Sequence, residues 1–168
     1  LIGLARNRPQ WFPDGVPFIS MDILSRTHSE QKDSEIPWND ISGIIFLAFP
    51  TNLAEVEKFS ASEQKKLIAS FIKFKGRASI RSLPILFFST EAVLWGVTQN
   101  KRIDTVTCKP TNIYGRLKAE CEEIILNNYT KGSFVLRATP VGFHKYDFKH
   151  GFLGKLLGEL LDGRTVTG

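Results

Sequence analysis

The chain has 168 residues, of which 42% are hydrophobic and 23% are charged. These values are typical of one globular domain and exclude an intrinsically disordered or collagen-like chain. The formal net charge is +5 and is spread over both halves of the chain, so we expect no nucleic-acid binding. The longest apolar runs, Ile44–Phe49 and Leu83–Phe88, are far shorter than the roughly 20 residues of a membrane-spanning helix. We therefore expect no membrane span.

Predicted strands and helices alternate along the chain. Apolar runs predict five strands: Ile2–Ala5, Val16–Met21, Ile41–Phe49, Pro84–Ser89 and Ser133–Arg137. Apolar side chains at helical spacing predict helices from Ser60 to about Gly76, from Asn112 to Asn128 and from Leu153 to about Gly163. Ser60 and Glu63 fit a capping box at the start of the first of these helices, and Gly76 predicts its end. Such an alternation indicates an α/β fold with a parallel sheet and helices on both of its faces.

The pattern Tyr114-Gly115-Arg116-Leu117-Lys118 opens the second predicted helix and is the strongest local sign of chemistry. Residues four apart share one helical face, and a nearby ammonium favours the phenolate, so we expect a lowered pKa for Tyr114. Such a tyrosine can exchange a proton with a carbonyl or alcohol oxygen. Ser89 and Thr90 follow the fourth predicted strand, at the sheet edge where ligands bind in parallel α/β folds.

These residues resemble the extended short-chain dehydrogenase/reductase family, in particular its dTDP-4-dehydrorhamnose reductase-like and sugar-nucleotide epimerase branch. The likeness is carried by Ser89–Gly96 and Tyr114–Glu122, which occur in the order and spacing of that family. Three further segments resemble family elements: Met21–Leu24, Asp40–Ala48 and Phe134–Thr139. The resemblance implies a Rossmann-like domain that binds NAD(P).

The resemblance also implies roles for individual residues. Thr90, Tyr114 and Lys118 would be the catalytic residues, with Tyr114 as the acid or base, Thr90 orienting the carbonyl and Lys118 also holding the nicotinamide ribose. The further cofactor-binding residues would be Arg6, Asp22, Ile23, Leu47 and Ala48. Arg6 follows the first predicted strand, at a place where a basic residue suits a 2′-phosphate and an acidic one a 2′-hydroxyl. We therefore expect NADP(H) to be favoured, with NAD(H) as the alternative.

The chain departs from the family pattern in three places. It has no glycine-rich turn of the form G-x-x-G-x-x-G, so residues 1–168 would be an incomplete NAD(P)-binding domain without the family's first strand and without most of the C-terminal substrate domain. We expect such a fragment to be inactive by itself, with either a new strand pairing or a gap in its sheet. Glu91 stands where reductases and dehydratases of the family often carry Asp, and Ala92 stands where a dehydratase would carry an acid, which argues against dehydration. Phe49-Pro50 replaces the small residues usual after the family's fourth strand.

The function that these observations predict is hydride transfer between a nicotinamide cofactor and a carbonyl or alcohol of a nucleotide sugar or similar substrate. A nucleotide-sugar epimerase and a non-catalytic cofactor-binding homologue are the alternatives. His28, His144, His150 and both cysteines lack the spacing of metal ligands, so no metal site is expected. The use of cysteine favours a cytoplasmic protein, and the resemblance implies a homodimer.

Overall fold

A computed structural model describes residues 1–10, 12–24, 35–50, 53–96, 107–127, 132–138 and 162–163. The chain divides into two compact units, Leu1–Arg137 and Ala138–Gly168, and every element described below belongs to the first unit. The predicted helix from Leu153 to about Gly163 lies almost entirely outside the described residues. None of the helices in the described ranges combines the length and apolar character needed to cross a bilayer.

Five strands form two parallel sheets in the described part of the chain. The strands are β1 (Gly3–Ala5), β2 (Phe18–Ser20), β3 (Ile44–Phe46), β4 (Ile85–Ser89) and β5 (Phe134–Arg137). One sheet pairs β1 with β2, and the other has the order β3–β4–β5. Within the described residues no strand pairing joins the two sheets.

Each predicted strand is present, and all five are shorter than expected. The third strand was expected over Ile41–Phe49, and the paired part is Ile44–Phe46 only. The pairing partner sets where the strand begins, because Ile44 lies opposite Ile85, the first residue of β4. Pro84 precedes that residue and has no N–H to extend the ladder, although its carbonyl oxygen accepts a bond from Ile44 N at 2.9 Å.

Three α-helices are described: α1 (Leu53–Val56), α2 (Ala61–Ile80) and α3 (Ile113–Asn127). Two 3₁₀ turns, Trp38–Asp40 and Glu91–Leu94, complete the regular structure. The capping box at the start of α2 is confirmed. Ser60 N donates to Glu63 Oε2 at 2.8 Å, and Glu63 N donates to Ser60 Oγ at 3.3 Å. These two bonds satisfy backbone donors that a helix start otherwise leaves unpaired.

The predicted end of α2 at Gly76 is wrong. The helix continues to Ile80, because side chains beyond Gly76, above all the fully buried Ala78, continue its apolar face. Arg81 is the C-cap, Ser82 follows it with a left-handed φ of 55°, and Leu83 N donates back to Ala78 O at 3.0 Å. This arrangement caps the final carbonyls as a glycine would.

The hydrophobic core lies between α2, α3 and one face of the β3–β4–β5 sheet. Phe46 of β3 and Phe87 of β4 point into it and contact Phe71 of α2, with ring centroids 5.1 and 5.4 Å apart respectively. From α3, Leu117 and Cys121 are buried in the same cluster. Burying such aromatic and aliphatic side chains is the main driving force for this packing.

The opposite face of the same sheet is exposed. Four large apolar side chains on it or at its edge are 44–63% accessible: Ile45, Leu47, Phe134 and Leu136. Helices therefore cover one face of the three-stranded sheet within the described residues, whereas the predicted fold has helices on both faces. The parallel strands and their packed helices establish the expected Rossmann-like α/β class.

Candidate active site at the carboxyl edge of the sheet

The end of β4 presents two hydroxyl side chains. Ser89, its last residue, is buried, and its Oγ has no hydrogen-bond partner among the described residues. Thr90 caps the following 3₁₀ turn, where its Oγ1 accepts from Ala92 N at 3.3 Å and donates to Glu91 Oε2 at 3.1 Å. The predicted site hydroxyl thus lies at the strand end and is already bonded to a neighbouring carboxylate.

Two side chains fix the start of α3, where Tyr114 lies. Asn112 Oδ1 accepts from Gly115 N at 2.7 Å. The Glu57 carboxylate accepts from Ile113 N at 3.1 Å and from Tyr114 N at 2.9 Å. A carboxylate at this end also interacts favourably with the helix dipole. Glu57 could not be found from the sequence, because it lies 57 residues before Tyr114 and no local pattern links the two.

Gly115 allows the 3₁₀ turn to approach α3. A Cβ at Gly115 would lie 2.6 Å from the carbonyl oxygen of Ala92, so only glycine permits this distance. Thr90 is at the start of that turn, and Tyr114 directly precedes Gly115. The fold therefore brings the turn that Thr90 caps and the helix start that carries Tyr114 together, as the sequence predicted for a single site.

Lys118 is buried beneath this helix start. Its side chain donates to Phe88 O at 2.7 Å. The ammonium also lies over two aromatic rings, 4.2 Å from the centroid of Phe49 and 4.8 Å from that of Phe87. Loss of solvent disfavours the charged form, so burial lowers the pKa of Lys118 from 10.5 to about 8.

Tyr114 lies beside Lys118, but its acidity is not as predicted. Lys118 Nζ is 5.9 Å from the Tyr114 ring centroid, and the ring of Phe49 packs edge-on against the phenol with centroids 5.7 Å apart. Burial raises the pKa of Tyr114, and the nearby carboxylate of Glu91 raises it further. The expected lowering of this pKa is therefore wrong, because desolvation and the charge of Glu91 both disfavour the phenolate.

The predicted cofactor-binding residues lie after the ends of three strands. Arg6 follows β1 and is exposed, and its carbonyl oxygen accepts from Ser20 Oγ at 2.7 Å. Asp22 follows β2, and its Oδ1 accepts from Leu24 N at 3.1 Å in a tight turn. Ile23, in that turn, packs against the core cluster.

Leu47 and Ala48 directly follow β3. Leu47 is exposed, whereas Ala48 is partly buried against the core. Because all strands within each sheet are parallel, the predicted residues occupy the carboxyl edges of the two sheets. Ligands bind at such edges in open α/β folds.

A second buried polar cluster lies at the same end of β5. Glu122 is only 2% exposed, and Arg137 donates to it through Nε at 3.1 and 3.2 Å and through Nη2 at 2.7 Å. Arg137 Nη2 also lies 3.0 Å from Cys108 Sγ. The bond to Glu122 raises the pKa of Arg137. The described residues include no group of three or more side chains that could hold a metal ion.

No protein-family model and no curated protein sequence matches this chain. Solved structures do match. The crystal structure of a UDP-glucose 4-epimerase from Thermus thermophilus in complex with NAD superimposes with a TM-score of 0.73 and 20% identity. That alignment covers 98% of this chain and 56% of the epimerase. The chain has the fold of this enzyme.

Two further structures extend the likeness to other sugar-nucleotide chemistry. The dTDP-glucose 4,6-dehydratase DesIV from Streptomyces venezuelae, with NAD bound, has a TM-score of 0.63 and 13% identity, over 92% of this chain and 47% of its own. A protein described as a hypothetical dTDP-4-dehydrorhamnose reductase from Sulfolobus tokodaii has a TM-score of 0.60 and 18% identity, over 89% and 61%. This chain thus spans about half the length of the structures it matches, and the likeness establishes a shared fold.

Proposed function

We propose that this chain is the cofactor-binding and catalytic part of an NAD(P)-dependent oxidoreductase that acts on a carbonyl or alcohol of a sugar nucleotide. The observation that carries the proposal is the pairing of Tyr114 with Lys118 beside the Thr90 turn, at the carboxyl edge of a parallel sheet. A solved structure with a similar fold is a UDP-glucose 4-epimerase that holds NAD. We further propose that the protein belongs to the extended short-chain dehydrogenase/reductase family.

The residues at the sheet edge suit a nicotinamide dinucleotide. Lys118 would bind the nicotinamide ribose, and its buried ammonium carries donors for hydroxyl groups. Ser89 Oγ, which has no partner within the described residues, is a second donor in this area. Asp22 and Ile23 would lie at the adenine, and Leu47 and Ala48 would line the remainder of the site. When bound, the cofactor supplies or accepts the hydride.

The protein's own residues would handle the proton. Burial and the carboxylate of Glu91 raise the pKa of Tyr114, which favours the protonated phenol. It would donate this proton to the substrate oxygen as the carbonyl is reduced. Thr90 would hold the same oxygen in place, after its hydroxyl turns from Glu91.

The test is the steady-state rate of the Tyr114→Phe variant of the full-length protein. Removing the hydroxyl deletes the proton donor and keeps the ring against Phe49, so we expect a loss of about 10²–10⁴-fold in kcat with cofactor affinity nearly unchanged. The control is Tyr129→Phe, which removes the hydroxyl of a tyrosine outside the Tyr114–Lys118 motif. A Tyr114→Phe enzyme within a factor of about three of the parent, less than one general acid contributes, would exclude this mechanism.

Arg6 supports a preference for NADP(H). It is exposed directly after β1, and a guanidinium can bind two phosphate oxygens at once. Titration of NADPH and NADH into the protein and its Arg6→Gln variant separates the cofactors. We expect tighter binding of NADPH, and a loss of that difference in Arg6→Gln. Equal affinities or a preference for NADH in the parent would contradict the assignment.

A nucleotide-sugar epimerase is the second candidate function. The highest TM-score among the structures compared above is with an epimerase, at 0.73. Epimerisation would use the same three residues, with the hydride returned to the opposite face of the same carbon. The cytoplasmic location, the homodimer and the absence of dehydratase activity stay predictions from the sequence.

A further inference from the structure

A backbone carbonyl and two aromatic rings surround the ammonium of Lys118. The residue is 5% exposed. One donor is used by Phe88 O at 2.7 Å, and the rings of Phe49 and Phe87 lie at 4.2 and 4.8 Å from Nζ. An ammonium in this position cannot donate to a hydroxyl of a bound ligand unless one of the two rings moves away.

Phe87 cannot be the ring that moves. It lies in the middle of β4, between Phe46 on one strand and Val135 on the other. It is fully buried, and its ring also packs on that of Phe71 at 5.4 Å. Moving this ring would open the centre of the core, which is close-packed and rigid.

Phe49 belongs to the same buried cluster, but its backbone lies outside the sheet. It lies three residues beyond the end of β3, so no ladder hydrogen bond fixes its backbone. Its ring is 8% exposed and contacts both Lys118 and Tyr114. Among the described residues, it is therefore the side chain that touches both members of the pair and whose backbone lies outside the sheet.

We propose that Phe49 is a closing residue of the site: its ring covers the Lys118 ammonium and the Tyr114 edge in the free protein and has to swing out before a ligand hydroxyl can reach Lys118. This inference rests on the proposed function for the identity of that ligand, the ribose of a nicotinamide dinucleotide. The closing contact itself depends only on the positions of Phe49, Lys118 and Tyr114. If the closed state dominates, the apparent affinity for the ligand falls in proportion to the fraction of protein that is open.

The first measurement follows Lys118 without any ligand. Its pKa is obtained by NMR of lysine side chains labelled with ¹³C at Cε, and its signal is identified by its absence in Lys118→Arg. Phe49→Ala and the milder Phe49→Leu are compared with Phe74→Leu, a truncation in the same core of a ring that packs on Phe46. We expect the Phe49 variants to admit water and raise the Lys118 pKa by about one unit or more, and Phe74→Leu to leave it unchanged.

The second measurement is the binding of NADPH and NADH to the same variants by cofactor fluorescence. We expect Phe49→Ala to bind at least one cofactor about tenfold more tightly than Phe74→Leu. A tenfold gain corresponds to a site that is open in about one-tenth of the molecules when Phe49 is present and in nearly all of them when it is removed. A raised Lys118 pKa without binding of either cofactor would uphold the closing contact and reject the proposed function. An unchanged Lys118 pKa in both Phe49 variants, or an equal rise in Phe74→Leu, would overturn the closing role.

Discussion

Replacing Lys118 by methionine measures how strongly the fold opposes the charge of this ammonium. The side chain is 5% exposed, and burial lowers its pKa from 10.5 to about 8. Methionine has similar length and no charge, so it fills the same space between the rings of Phe49 and Phe87. The quantity of interest is the difference in unfolding free energy between the parent and Lys118→Met as a function of pH.

The sign follows from proton binding. Between pH 8 and pH 10.5 the unfolded chain holds a proton on this lysine that the folded chain has largely lost. Stability rises with pH wherever the unfolded state binds more protons, so burial of Lys118 costs no stability above pH 10.5, and the cost grows as the pH falls from 10.5 to about 8 and is complete below that value. At about 1.36 kcal/mol per pKa unit, the change amounts to about 3 kcal/mol, a large share of the roughly 5–15 kcal/mol that stabilises a domain.

Urea unfolding from about pH 7 to about pH 11 tests this expectation. We expect the parent to gain about 3 kcal/mol relative to Lys118→Met across that range. Taking the difference cancels the titration of other groups, such as the buried Cys121 thiol, whose pKa is raised by burial. Lys65→Met removes one charge from the exposed face of α2 and reports the effect of net charge alone. A difference between parent and Lys118→Met that does not change with pH would refute the reasoning.

Three further substitutions test the packing by urea unfolding. Gly76→Ala should raise the unfolding free energy by about 0.5–1 kcal/mol, because a Cβ there meets no atom within 4 Å; a loss of stability would contradict the helix found beyond this residue. Gly115→Ala should lower it by about 1–3 kcal/mol, since the Cβ would lie 2.6 Å from Ala92 O, and a neutral result would exclude that approach. Arg137→Met should cost about 3–5 kcal/mol, because it leaves Glu122 buried without its guanidinium; a cost below about 1 kcal/mol would mean that this pair behaves like a surface one.

The fold was predictable where local chemistry decides it. The capping box of Ser60 and Glu63 set the start of α2, and both of its bonds are present. The end of that helix was not predictable from Gly76, because the buried contacts of later residues such as Ala78 continue the helix. The start of β3 was also beyond local reasoning, since it depends on where its partner β4 begins.

The residues of the candidate site were predictable from local patterns, but the contacts that set their properties were not. Thr90, Tyr114 and Lys118 could be named from short patterns, since each lies at a strand end or on one helical turn. The contacts that set their properties join distant parts of the chain: Glu57 bonds the amide of Tyr114 from 57 residues away, and Phe49 covers Lys118. The pKa of Tyr114 was predicted with the wrong sign for this reason. A sequence pattern shows that a lysine is near, but it does not show how deeply the phenol is buried.

The charges around Tyr114 lead to a prediction for the pH dependence of the proposed reaction. Proton donation leaves a phenolate, which the carboxylate of Glu91 disfavours and the ammonium of Lys118, 5.9 Å from the ring, favours. Because the pKa of Lys118 is about 8, its charge is present at neutral pH and lost above that value. We therefore expect kcat for carbonyl reduction to fall as the pH rises through 8. Glu91→Gln keeps an acceptor for the Thr90 hydroxyl and removes the opposing charge, so it should donate the proton faster than the parent at every pH. A rate that is constant through pH 8, or a slower Glu91→Gln enzyme, would show that these two charges do not control the Tyr114 proton.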